Sequence, residues 1–219
     1  MAWRAVIFDL GGVVLPSPLD TFRSYEASHG LPHRFLSEVV LAGGDDGAWS
    51  RFERGELDPA GFAKDFEREC AAAGGQVDVA VLLSEVATGA GPRPAMLAAL
   101  RAIRAHGLRT AALTNNWRAD DGATMGDRQA GLFDLFDVVV ESAVEGLRKP
   151  DPRIYELTCA RVGVAPDEAV FLDDLGVNLK PARALGMATI KVSDPDAALA
   201  QLADVLGFAL DDPDPRTAR

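Results

Sequence analysis

The sequence predicts an α/β fold: a parallel sheet whose strands alternate with helices, interrupted early by an all-helical insert. Ala5-Val6-Ile7-Phe8 is a wholly apolar, β-favouring run, the pattern of a strand buried on both faces of a parallel sheet. From Arg109 onward, short apolar runs alternate with helical patterns, which predicts βαβ units with right-handed crossovers. Between these parts, from Leu19 to about Val86, the periodicity is helical and holds no convincing buried strand.

The first strand ends on Asp9 and runs at once into Gly11-Gly12. Pro16-Ser17-Pro18 then breaks the strand pattern and reads as a linker. In the insert, Phe35, Leu36, Val39 and Val40 keep helical spacing until Gly43-Gly44-Asp45-Asp46-Gly47 interrupts. Asp58-Pro59 reads as the cap and first turn of a helix whose apolar face carries Phe62 and Phe66 and which ends at Gly74-Gly75. Val77 to Val86 reads as another short helix, and Thr88 to Pro92 as the return linker. Beyond it, helices are expected over Pro94–Ala105, within Trp117–Gly131, and over Arg153–Val162, Leu179–Leu185 and Ala197–Leu206. Strands are expected over Arg109–Leu113, Phe136–Val140, Ala169–Leu172 and Ala188–Val192, and a frayed tail from Asp211.

The chain has 219 residues, 48% of them hydrophobic, enough for one sizeable domain or a domain plus an insert. A net charge of −11 argues against nucleic acid or an anionic membrane as partner. No apolar run is long enough to span a bilayer and no signal-peptide pattern follows Met1, so a cytoplasmic location is expected. Cys70 and Cys159, far apart in sequence, read as reduced thiols. His29 and His33 flank Gly30-Leu31-Pro32, which breaks any shared helical face for a metal.

Three strands end on polar residues: Asp9, Thr114-Asn115 and Asp173-Asp174. A parallel sheet gathers its carboxyl ends at one edge, where ligands of such folds bind. Lys149, before Pro150, lies in a loop that can reach the same edge. Carboxylates, a lysine, a hydroxyl and a glycine turn suit phosphoryl transfer: carboxylates hold Mg²⁺, cationic and N–H groups hold phosphoryl oxygens, and a carboxylate can be the nucleophile.

Four motifs, Phe8-Asp9-Leu10-Gly11-Gly12-Val13, Leu113-Thr114-Asn115-Asn116, Arg148-Lys149-Pro150-Asp151-Pro152 and Phe171 to Lys180, resemble in identity and order those of the haloacid dehalogenase superfamily. The likeness is greatest to the N-terminal phosphatase domain of soluble epoxide hydrolases and the similar domain fused to some acyl-CoA dehydrogenases. Trp49 to Leu57 resembles the helical cap of that group. The resemblance implies a Rossmann-like core, residues 1–15 and 92–219, and a helical cap, residues 16–91. It implies a Mg²⁺-dependent phosphatase for a small phosphorylated metabolite, working through an aspartyl-phosphate on Asp9. Asp9, the Gly11 carbonyl and Asp174 would hold the metal. Thr114 and Asn115 would hold the phosphoryl group and Lys149 would neutralise it, with Asp173 and Asn178 orienting the metal site. Trp49, Arg51 and Phe52 are expected either to select substrate or to serve as cap core and surface.

Most phosphatases of this family carry an acid two positions after the nucleophile, where this chain has Gly11. A good leaving group, a proton from water or substrate, or loss of catalysis would each accommodate the change. A non-catalytic phospho-ligand-binding or regulatory module and a 2-haloacid dehalogenase are therefore the alternatives, although a dehalogenase leaves the Asp173-Asp174 pair without a metal to serve. A receiver domain needs no helical insert, and Gly11-Gly12 does not make a dinucleotide-binding fingerprint. Monomer and homodimer are both open.

Overall fold

A computed structural model of the chain describes residues 2–87, 91–119, 121–123 and 130–211. Thr88 to Ala90 of the expected return linker, part of the segment expected after Trp117, and the tail beyond Asp211 lie outside these residues.

The five described strands are β1 (Ala5–Phe8), β2 (Arg109–Thr114), β3 (Val138–Glu141), β4 (Ala169–Asp173) and β5 (Ala188–Lys191). They form one sheet in the order β3-β2-β1-β4-β5 with every pair parallel, so the α/β expectation is borne out. Helices α6 (Pro94–Ala105), α7 (Ala130–Phe133), α8 (Ser142–Glu145), α9 (Pro152–Val162), α10 (Gly176–Ala184) and α11 (Pro195–Leu206) flank it. The central strand shows why its run is continuously apolar. Val6 and Phe8 enter the cluster shared with α6 and α11, while Ala5 and Ile7 enter the cluster shared with α9 and α10. A strand covered on both faces has no solvent side on which to place a polar residue.

The insert folds as α1 (Pro18–His29), α2 (Phe35–Gly43), α3 (Ala48–Glu53), α4 (Pro59–Ala72) and α5 (Val79–Ala87). They surround a third cluster, which includes Phe22, Tyr25, Leu36, Trp49, Phe52, Phe62, Phe66 and Leu82. Asp58 caps α4 through Gly61 N–H at 2.7 Å, as expected of Asp-Pro at a helix start. No helix among the described residues is long and apolar enough to cross a membrane.

Several boundaries differ from the sequence expectation. Pro16-Ser17-Pro18 is less a linker than a helix start: Ser17 caps α1 by accepting from Leu19 N–H, and Pro18 occupies its first turn. Phe136 lies in a turn before β3, because Asp137 takes the edge role by accepting from Thr110 N–H at 2.7 Å. The helix expected from Leu179 begins at Gly176, so Pro181 sits inside α10 and one interior helical bond is missing. The short α8 has no clear sequence signal.

Candidate active site

Strand order brings the polar strand ends together. Asp9, Thr114 and Asp173 follow or end the adjacent strands β1, β2 and β4, and Asp9 N–H bonds the Leu172 carbonyl at 2.9 Å. One carboxylate oxygen each of Asp9, Asp173 and Asp174 lies within 4.8 Å of the others. Lys149, 1% exposed at its side chain, bridges two of them, with Nζ 2.8 Å from Asp9 Oδ1 and 2.8 Å from Asp173 Oδ2.

The electrostatics follow from burial and charge count. Burial pushes the Asp9 carboxyl well above the usual range, and Asp173 and Asp174 add repulsion that Lys149 only partly offsets. Asp174 is raised to about 6 by burial and by Asp173. Burial disfavours the Lys149 ammonium, but Asp173 and Asp9 outweigh it and hold the amine above its ordinary value. Three carboxylates, two of them buried and one part-exposed, around one ammonium are more acid than the lysine can balance, an arrangement that favours a further cation. Hard oxygen donors in this number fit Mg²⁺, which takes one or two protein carboxylates and fills the rest with water and substrate oxygens.

The two acids of the Asp173-Asp174 pair are placed differently. Asp173 is fully buried and accepts from Lys149 Nζ, from Leu175 N–H at 2.8 Å, and from Asn178 Nδ2 at 3.0 and 3.1 Å. Asp174 is part-exposed and accepts the Ser17 hydroxyl at 3.2 Å. Gly12, at φ +79°, lies so close that a Cβ there would fall 2.2 Å from Asp174 Oδ2. The second glycine thus makes room for an acid from β4 as well as for the turn. Gly11 packs on Pro18, whose Cδ would be 3.1 Å from an added Cβ.

Thr114 is buried at the end of β2, with its hydroxyl 3.4 Å from the Asn115 carbonyl, beyond good hydrogen-bond length. The Asn115 carboxamide is committed to the Lys149 peptide: its Oδ1 accepts Lys149 N–H at 2.9 Å and its Nδ2 donates to the Lys149 carbonyl at 3.0 Å. That side chain therefore holds the lysine segment in place.

Trp49 and Phe52 lie in the insert's aromatic core, where Trp49 packs edge-on against Phe22, Phe62 and Phe66, and Phe52 stacks on Phe62. Arg51 is at the surface, paired with Asp65 at 3.1 Å. The bland expectation for these three residues is the one the geometry fits.

Sequence reasoning missed four contributors: Ser17, Glu53, Arg148 and Trp117. Ser17 lies in the stretch expected to be a linker, and nothing there points to Asp174. Trp117, just after β2, stacks on Phe52 with centroids 5.5 Å apart. Glu53 and Arg148 meet through Nε and Oε2 at 2.7 Å from positions 95 apart in sequence, and no local pattern announces such a pair.

The family model for haloacid dehalogenase-like hydrolases matches residues 3–186. The chain is 44% identical over 216 residues to acyl-CoA dehydrogenase family member 10 of Mus musculus, covering 95% of this chain and 20% of that protein. It is 39% identical over 222 residues to bifunctional epoxide hydrolase 2 of Sus scrofa, covering 96% of this chain and 40% of that one. The chain thus spans well under half the length of either relative. Sesquiterpene phosphatase astK of Aspergillus oryzae matches nearly end to end, 27% identical over 207 residues, with 94% of this chain and 97% of that protein covered.

Proposed function

The chain belongs to the haloacid dehalogenase-like hydrolase family, and we propose that it is a Mg²⁺-dependent phosphatase acting on a small phosphorylated metabolite. The observation that carries this reading is the buried Asp9–Lys149–Asp173 bridge with Asp174 beside it. The likeness to a phosphatase of similar length supports it.

In this reading Asp9, the Gly11 carbonyl and Asp174 hold Mg²⁺, which supplies charge neutralisation for the carboxylate and the phosphoryl oxygens. Asp9 Oδ attacks phosphorus, the bond to the leaving-group oxygen breaks, and an aspartyl-phosphate forms. Lys149 stays charged throughout and balances the phosphoryl oxygens. The Thr114 hydroxyl donates to one of those oxygens, and Asn115 contributes its backbone N–H, since its carboxamide serves Lys149. Asp173 and Asn178 hold Lys149 and the start of α10. Residues 16–91 form the cap, which covers the site and excludes bulk water while admitting the one that hydrolyses the intermediate. One water then attacks phosphorus, the bond between phosphorus and Asp9 Oδ breaks, and inorganic phosphate leaves with the water's protons, returning Asp9 as the carboxylate.

No side chain at Gly11 donates a proton to the leaving group, and Pro18 fills the neighbouring space. General acid catalysis contributes ~10²–10⁴-fold, so substrates with good leaving groups turn over fastest. The same glycine favours a second reading, a phospho-ligand-binding module without turnover. Hydrolysis of p-nitrophenyl phosphate decides between them. The phosphatase reading expects release that requires Mg²⁺ and is abolished in Asp9→Asn. Absence of release with bound phosphate favours the module, and rapid halide release from 2-haloacids in EDTA favours a dehalogenase.

A further inference from the structure

We propose that Glu53, carried by the cap, is a positioning residue for Lys149, so that the cap's seat on the core and the placement of the site's ammonium are coupled. Glu53 ends α3 and is 7% exposed, an unusual place for a carboxylate without a purpose for its charge. Both its oxygens are engaged. Oε1 accepts Trp49 Nε1–H at 2.9 Å within the cap. Oε2 accepts Arg148 Nε–H at 2.7 Å and Asn115 Nδ2–H at 3.3 Å, both from the core.

Those two donors flank Lys149. Arg148 is its chain neighbour, and Asn115 holds its peptide at both N–H and carbonyl. A carboxylate from the cap therefore fixes the carboxamide that fixes the lysine backbone, while Asp9 and Asp173 fix its Nζ. The junction is tight elsewhere too. Gly55, at φ +69°, approaches the core so closely that a Cβ would lie 2.5 Å from the Ala143 carbonyl oxygen. Trp117 from the core loop stacks on Phe52 of the cap. A cap displaced at this corner takes Glu53 with it, and the Asn115 clasp loses its outer support. Partners that orient a site group commonly change activity about 10- to 100-fold when removed.

The test reads Lys149 directly. The chain has four lysines, Lys64, Lys149, Lys180 and Lys191, of which Lys149 is buried and the other three exposed. In lysine-labelled protein, ¹³Cε and ¹⁵Nζ resonances of Lys149 stand apart from the rest. Glu53→Gln keeps an acceptor for Trp49 but opposes an amide to the Arg148 and Asn115 donors. The expected result is a shift of the Lys149 resonances alone. With p-nitrophenyl phosphate, kcat falls about 10- to 100-fold with a smaller change in KM.

If the single variant does not fold, Glu53→Gln with Arg148→Met removes a guanidinium left without its buried carboxylate and with only the distant, exposed Asp45, and carries the same expectation. Lys149 resonances at their wild-type positions in either folded variant would overturn the proposal. So would movement of all four lysines together, which assigns Glu53 a merely structural role. The kinetic arm rests on the phosphatase reading and the resonance arm does not: wild-type protein without turnover defeats that reading while the spectra still decide this one.

Discussion

At the scale of single residues, the site is a problem of charge. Asp9, Asp173 and Asp174 crowd within 4.8 Å, and Lys149 sets its ammonium between two of them. In the proposed reaction its removal leaves the attacking carboxylate and the phosphoryl oxygens uncompensated. Lys149→Met, close in volume, is expected to lower kcat about 10²–10³-fold, the loss typical of one preorganised electrostatic group. The fold is expected to survive, because Asp173 keeps its hydrogen bonds from Leu175 and Asn178 and burial already disfavours the charged form of Asp9. Parallel measurement of kcat and the urea midpoint checks this: an activity loss matched by the loss of folded protein would make Lys149 structural.

Much of this level was legible in the sequence. Asp9, Thr114 and Asp173-Asp174 each close an apolar run, and a parallel sheet leaves those ends nowhere to go but one edge. Gly12 was legible as a turn glycine, but not as the gap that admits Asp174, because that contact joins β1 to β4. Asn115 was read as a phosphoryl ligand, whereas its carboxamide faces the Lys149 peptide, an orientation that residue type alone does not fix.

At the scale of elements, a capping residue followed by proline starts four helices, of which only Asp58-Pro59 was legible as a start from the sequence. Ser17-Pro18, Asp58-Pro59, Asp151-Pro152 and Asp194-Pro195 all begin helices with a side chain accepting from the first turn. Asp58→Ala removes such a cap at a site away from the acidic cluster. It is expected to cost about 1 kcal/mol of stability, seen as a lower urea midpoint with kcat unchanged; an equal fall in kcat would mean α4 bears on the site. Strand ends and short helices were harder. The start of β3 depends on Asp137 meeting Thr110, and α8 on Asn116 and Ser142 exchanging hydrogen bonds. Both are tertiary contacts without a local signature.

At the scale of the molecule, an aromatic bundle and a sheet core meet along a seam. Each buries one cysteine: Cys70 in α4 and Cys159 in α9. Burial pushes the Cys70 thiol up to about 12 and that of Cys159 up to about 11, from an ordinary 9.0. The native state therefore keeps both protons after the unfolded chain begins to lose them. Stability from these groups is intact below pH 9 and falls as pH rises from 9 toward 11 and 12. The slope is up to about 1.4 kcal/mol per pH unit for each thiol. Urea unfolding across that range should show the decline, and Cys70→Ala should flatten it; an unchanged slope would place the thiols in contact with water.

The seam itself was illegible in the sequence. Glu53 reaches Asn115 across 62 positions and Arg148 across 95, and pattern rules look no further than one element. Its purpose depends on the chemistry at Asp9, which is open to direct capture. Protein mixed with p-nitrophenyl phosphate and Mg²⁺, quenched and reduced with borohydride, should yield homoserine at position 9 and nowhere else, as reduction of an aspartyl-phosphate requires. Release of p-nitrophenol with Asp9 unmodified, or with the label on another residue, would contradict the account.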